Sequence, residues 1–207
     1  SPIFSQDIVT TGAKGQLQLK FTDGSRLSLR SATQFKVEEY NFDSAEPEKG
    51  KSIYRLLKGG MRTITGAISD ANVDQYRVNT PIATIGVRGT HYELFFCDKA
   101  CAKSQQGEYG LYGQVLEGTI FIALGDEVHD IVAGTHFFLG GDNRLQISSK
   151  PLSRAFLPQG AEHLMQSEVP ALQANPTPEF EKSPSPNQSP ATPTPPSPDP
   201  YRPGALK

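Results

Sequence analysis

From Val78 to Thr90 the chain reads Val-Asn-Thr-Pro-Ile-Ala-Thr-Ile-Gly-Val-Arg-Gly-Thr, and its apolar phase slips. Tyr76 and Val78 alternate with Arg77 and Asn79, the two-residue period of a half-buried strand. After Ile82 the next large apolar residues, Ile85 and Val87, fall on the opposite parity. Beyond Gly89 the phase returns, with Tyr92, Leu94 and Phe96 on the even set. A strand cannot turn its apolar side chains over without a bulge, corner or break. Pro81, Gly86 and Gly89 sit at or near the slips, where a missing N–H or a positive φ is tolerated. The stretch is therefore expected to be a bent strand rounding a corner twice, with the remaining sheet packed against it.

The segments on either side also alternate. Leu17, Leu19 and Phe21 interleave with Gln16, Gln18 and Lys20. Asp23-Gly24 then supplies a tight hairpin turn, and Leu27 and Leu29 continue a buried face. Phe35 and Val37 predict a third strand, and residues 43–52 a polar loop. Ile53 to Leu57 is a further strand, broken by Lys58-Gly59-Gly60, with a weaker one over 61–68 and a turn over 70–74. Residues 99–110 read as a surface loop. Glu117-Gly118 reads as a turn between Val115-Leu116 and Thr119 to Leu124. Short strands follow over 128–132 and 135–139, and Gln146 and Ile147 end the sheet. About ten short strands with regular turn signals and no βα alternation predict an all-β domain over 1–150. Pro151, Pro158 and Pro170 limit residues 151–174 to short helical turns. Residues 175–207 hold eleven of the seventeen prolines and are expected to be disordered or polyproline-II.

Composition excludes several classes. A net charge of −2 opposes electrostatic nucleic-acid binding. No apolar run approaches the roughly 18 residues of a membrane span. The opening Ser1-Pro2-Ile3-Phe4-Ser5 predicts a trimmed or processed start, with a signal peptide removed. Cys97 and Cys101 would lie about 13 Å apart in a straight strand, beyond the roughly 7 Å that a disulfide allows. They pair only if the chain turns at Asp98-Lys99-Ala100. A disulfide is preferred over two free thiols and over a metal site, for which only His91 is near. A disulfide would imply an oxidising compartment.

No catalytic, cofactor or metal constellation emerges. His91, His129, His136 and His163 are scattered, Glu93 and Asp98 form no convincing acid/base pair, and Ser25 lacks a nucleophile elbow. Gly86-Val87-Arg88-Gly89-Thr90 lacks the spacing of a phosphate loop, so its glycines are read as corner residues. Arg88 is expected to pin a carboxylate or carbonyls inside the fold, with a ligand-facing role as the alternative.

Four segments together resemble the FecR domain family. They are Asp23-Gly24-Ser25-Arg26-Leu27-Ser28-Leu29; Leu56-Leu57-Lys58-Gly59-Gly60-Met61-Arg62; Val78-Asn79-Thr80-Pro81 through Gly86-Val87-Arg88-Gly89-Thr90-His91-Tyr92; and Val115-Leu116-Glu117-Gly118-Thr119-Ile120. The resemblance runs from about Gly12 to Leu139. It implies an extracytoplasmic all-β domain of antiparallel strands, solenoid-like or sandwich-like. In the best-known members this domain lies in the periplasm and relays an outer-membrane receptor signal to a sigma factor. The sequence lacks their transmembrane helix and cytosolic sigma-binding segment, so it is similar to the free-standing exported members.

The first expectation is accordingly a non-enzymatic scaffolding module of the cell envelope, periplasmic or secreted. It would bind envelope proteins through sheet edges and through a tether formed by 175–207, with homo-oligomerisation left open. The alternatives are a signal-relay component and a carbohydrate- or cell-wall-binding domain using Tyr92, Tyr109 and Tyr112.

Overall fold

A computed structural model describes residues 1–104, 107–125 and 127–152. Its strands are β1 (Ile8–Thr10), β2 (Leu17–Lys20), β3 (Arg26–Leu29), β4 (Gln34–Asn41), β5 (Lys51–Ile64), β6 (Tyr76–Asn79), β7 (Thr84–Cys97), β8 (Gly110–Leu124), β9 (Glu127–Val132), β10 (His136–Gly140) and β11 (Leu145–Ser148). All belong to one hydrogen-bonded sheet. Among the described residues are two short helices: α1 (Ala67–Ala71) takes the end of the expected strand over 61–68 and the start of the expected turn over 70–74, and α2 (Lys99–Lys103) lies in the expected surface loop.

The pairings divide at three bends into two layers. The first half of β5 pairs with β4 and, in parallel, with β6; its second half, Gly59 to Ile64, pairs with β7 and β3. β7 pairs with β6 and the end of β8 before Gly89, and with β5 and the start of β8 after it. β8 in turn takes β10 beside its first half and β9 beside its second. One layer is thus β1-β4-β5-β6-β7-β8-β9 and the other β2-β3-β5-β7-β8-β10-β11, with three strands shared. Strands that switch sheets through bends form the corners of such a sandwich.

Each bend reverses the inward-facing parity. In β5, buried Tyr54 and Leu56 are followed by buried Met61 and Thr63. In β7, Ile85 and Val87 give way to Tyr92, Leu94 and Phe96. In β8, Leu111 and Val115 give way to Ile120 and Ile122. These residues meet in one core. Tyr76 of the first layer touches Tyr92 of the second, hydroxyl to hydroxyl at 2.8 Å, and both rings are fully buried. A satisfied buried hydroxyl pair contributes about 1 kcal/mol, whereas orphaning one member costs more. Tyr54 continues the aromatic line, 5.8 Å from Tyr76 and 5.4 Å from Phe35.

The sandwich-like expectation therefore holds, with differences of detail. The β5–β6 pairing is parallel and makes the sheet mixed rather than wholly antiparallel. Lys58-Gly59-Gly60 and Glu117-Gly118 are bends inside continuous strands, not breaks. The first phase slip, at Pro81, is a hairpin: Thr80 N–H donates to the Ala83 carbonyl at 2.8 Å, so only the slip at Gly89 is a corner. The Asp23-Gly24 turn is wider than two residues, because Phe21 N–H donates to the Ser25 carbonyl at 3.0 Å and Gly24 adopts φ +86°. Beyond Leu152, the expected connector and Pro-rich tail lie outside the described residues.

Candidate functional site

Of the motif residues, Arg88, Gly89, Thr90 and Gly118 lie at the corner shared by β7 and β8. Gly89 has φ +53° and Gly118 φ +74°. A Cβ on Gly118 would lie 2.2 Å from the Gly89 carbonyl oxygen, so the two strands cross here backbone to backbone. Thr90 ties them: its Oγ1 accepts from Arg88 N–H and donates to the Thr119 carbonyl, both at 3.1 Å. Thr90 N–H donates to Thr65 Oγ1 at 2.9 Å, and the Thr90 carbonyl accepts from Thr65 N–H at 3.1 Å. The corner is thereby stitched to the end of β5.

Asp23 organises the neighbouring turn. It is buried, its Oδ1 accepts from Ser25 N–H at 3.0 Å and from Ser25 Oγ at 2.6 Å, and its N–H donates to the Tyr40 hydroxyl at 3.0 Å. Its carbonyl caps α1 by accepting from Ala67 N–H at 2.9 Å. Gly86 has a packing reason to be glycine: a Cβ there would fall 1.8 Å from the Phe121 ring, which lies across it from the adjacent strand. Pro81 occupies the exposed tip of the β6–β7 hairpin.

Arg88 departs from expectation. Its side chain is exposed and makes no hydrogen bond or ion pair among the described residues, so it pins nothing inside the fold. The reason is parity: Val87 points into the core, and Arg88 must therefore point out. The aromatic platform of the carbohydrate reading also fails to assemble. Tyr92 is sealed in the core and Tyr112 is buried on the opposite face of the second layer. Tyr109 stacks edge-on against Phe96, centroids 5.7 Å apart.

Cys97 and Cys101 form a disulfide, their Cα atoms 5.3 Å apart. The turn is helix α2, capped by Asp98, whose Oδ1 accepts from Cys101 N–H at 2.9 Å. This bridge clamps α2 near an outer aromatic cluster, where Tyr112 and Phe138 stack at 4.4 Å and Phe95 lies 6.3 Å from Tyr112. The Arg30 guanidinium sits 5.7 Å over the Phe95 ring.

Across the outer side of the second layer, strand register sets Ser28, Arg62, Glu93, Gln114 and His136 in one row. Arg62 Nη1 lies 3.4 Å from Glu93 Oε1, and Arg62 Nε donates to His91 Nε2 at 2.8 Å. Burial and the adjacent Arg62 cation push the His91 imidazole below its ordinary range, against Glu117. Burial alone pushes His136 down. Sequence reading did not single out Arg62, because its partners are set by strand pairing between distant segments. No group of three or more His, Cys, Asp or Glu side chains suited to a metal occurs among the described residues. Nor does any helix there have the length and apolarity to cross a membrane.

A two-layer β domain with its most specific sequence signature built into a strand corner, rather than around a reacting centre, is the class these features define. The family described as FecR protein matches residues 7–120, more than half of the 207-residue chain, and the chain belongs to that family. Two crystal structures of a candidate anti-sigma factor from Parabacteroides distasonis share the fold, with TM-scores of 0.54 and 0.53. Each is 11% identical, and the alignment covers 70% of this chain and 60% of that one. The likeness at that identity is one of fold, and the match spans less than two thirds of that chain's length. No curated protein matches the chain.

Proposed function

We propose that this chain is a protein-binding FecR domain that works outside the cytoplasm as a relay component related to sigma-factor regulators. The observation that carries this is family membership across residues 7–120. The fold shared with a candidate anti-sigma factor supports it. The disulfide supports an oxidising compartment such as the periplasm. The domain acts by binding and not by catalysis: its motif glycines and Thr90 are consumed in building the corner, and Arg88 and the sheet edges are what it offers to a partner. Scaffolding of an envelope assembly through residues 175–207 has weaker support, since family and fold both point toward regulation.

The test pairs mild cross-linking in native envelope extract with transcript profiling after deletion of the chain. A relay predicts a small, discrete complex containing a receptor or a membrane-anchored regulator, and a changed set of sigma-dependent transcripts. A large assembly of fixed stoichiometry that loosens when residues 175–207 are removed, with transcription unchanged, would overturn it in favour of scaffolding.

A further inference from the structure

Among the described residues four strands lie at the sheet's edges, and they are unequal. β1 has three residues and β2 and β11 four each, whereas β9 has six. β9 pairs in unbroken register with β8 and with no other strand among the described residues. Its sequence, Glu-Val-His-Asp-Ile-Val, carries no Pro or Lys, and its register carries no bulge, so of the usual devices that blunt an edge it keeps only the charges of Glu127 and Asp130. Val128 and Val132 are 64% and 56% exposed.

The free hydrogen-bonding groups can be assigned. Ala133 N–H donates to the Gly118 carbonyl at 3.1 Å, one step beyond the Thr119–Val132 pair. Bonded and non-bonded pairs alternate along an antiparallel ladder. The N–H and C=O groups of Val128, Asp130 and Val132 therefore point away from β8. The side chains of the same three residues share the outer face with Phe121, which stands opposite Asp130 and fills the space over Gly86. The edge thus offers three backbone donor–acceptor pairs, two exposed valines, and one exposed carboxylate between them that forms no ion pair among the described residues.

We propose that β9 is a docking edge that accepts an extended segment of a partner protein as an added strand. The segment carries a Lys or Arg opposite Asp130, flanked two residues away on each side by apolar residues opposite Val128 and Val132. A second copy of this chain fits poorly. The register that matches the free groups over the whole edge sets Val128 against Val132 and Asp130 against its own symmetry mate, a like-charge pair directly opposite. The inference deepens the protein-binding reading and rests on it for the existence of a partner, while the edge is testable by itself.

The test uses the full chain, isotope-labelled, with the synthetic peptide Ser-Thr-Val-Thr-Lys-Thr-Val-Thr-Ser and its counterpart with Glu in place of Lys. The lysine peptide should slow amide exchange at Val128, Asp130 and Val132 and bind roughly tenfold tighter than the glutamate peptide. D130K should reverse that preference. V132P removes an outward N–H without touching a bond to β8 and should abolish binding while the fold persists. Unchanged exchange at the three amides, or equal binding of both peptides, would overturn the proposal. So would a concentration-dependent dimer lost in V132P, which assigns the edge to a second copy. Peptide binding by a chain whose deletion leaves transcription unchanged would uphold the edge and overturn only the relay reading.

Discussion

The two ends of the sandwich close the same gap by different means. At one end β5 crosses alone, with Gly59 at φ +82°. Its clamp comes from elsewhere in the chain: Thr33 Oγ1 accepts from Gly60 N–H at 2.9 Å and donates to the Gly60 carbonyl at 3.1 Å. Thr33 N–H is held in turn by Thr11 Oγ1 at 2.9 Å. At the other end β7 and β8 cross together, and the clamp, Thr90, belongs to the corner itself. Both ends need a residue with positive φ and a buried hydroxyl to serve backbone groups that the interrupted ladder abandons. They differ in whether the hydroxyl is local or imported.

The largest expected effect removes the backbone freedom at both ends. A Cβ at Gly59 would lie 2.4 Å from Thr33 Oγ1, and one at Gly118 would lie 2.2 Å from the Gly89 carbonyl. G59A and G118A should each lose about 3 kcal/mol or more in urea unfolding, combining a left-handed φ with a backbone collision. Gly24, also at positive φ, has nothing within 4 Å of the position a methyl group would take, so G24A should lose only about 1 kcal/mol. Equal losses at all three sites would mean that φ alone matters and that the crossings are not close.

Next come the hydroxyls. T33V and T90V each remove two bonds from buried or partly buried backbone groups, at a cost of about 2 kcal/mol each. Both bonds lost at Thr33 are buried, whereas those of Thr90 are partly buried, so the loss at Thr33 should be the larger. T33S should recover most of it. If T90V proves neutral while T33V does not, the local clamp is dispensable and the equivalence of the two ends breaks.

This difference also explains what could be read in the sequence. The corner in β7 is visible because Ile85 and Val87 sit on one parity and Tyr92, Leu94 and Phe96 on the other, with the glycine and its threonine adjacent. β5 carries the same reversal, from Tyr54 and Leu56 to Met61 and Thr63, but Gly59-Gly60 invites reading it as two strands. The residue that keeps the strand continuous, Thr33, lies 27 positions away. Glu117-Gly118 misleads likewise, since its partner in the crossing, Gly89, is on another strand. Hairpins and alternation are local and were legible. The docking edge of β9, the Arg62–His91 bond and the outward turn of Arg88 depend on strand order and side, which no local pattern fixes.

A third effect falls at the first end only. Phe96 pairs with Gly59, so Cys97 and its bridge to Cys101 lie beside the β5 corner. Replacing both cysteines by alanine should cost about 2 kcal/mol in the chain-entropy account. Amide exchange should quicken around Gly60 and α2 and stay unchanged at Thr90. Quickened exchange at both ends would show that the corners are one cooperative unit.

The smallest effect belongs to the second end and is set by pH. His91 follows Thr90 directly, and burial, with Arg62 beside it, holds its imidazole below the ordinary value of 6.5. The folded protein therefore keeps His91 neutral at a pH where the unfolded chain already takes up a proton. Its contribution is fully present above about pH 6.5 and is lost as pH falls through the depressed folded value. His136 shifts the same way, so the parent protein should lose stability on acidification through both. Among the described residues no histidine contacts the β5 corner, where Arg30 lies against Gly60 and keeps its charge throughout. Urea midpoints compared between about pH 7.5 and pH 5 should fall less in H91Q than in the parent, and H136Q should show its own separate reduction. An undiminished fall in H91Q would mean that protonated His91 finds a partner by turning from Arg62 toward Glu117, and that the second corner tolerates acid as well as the first.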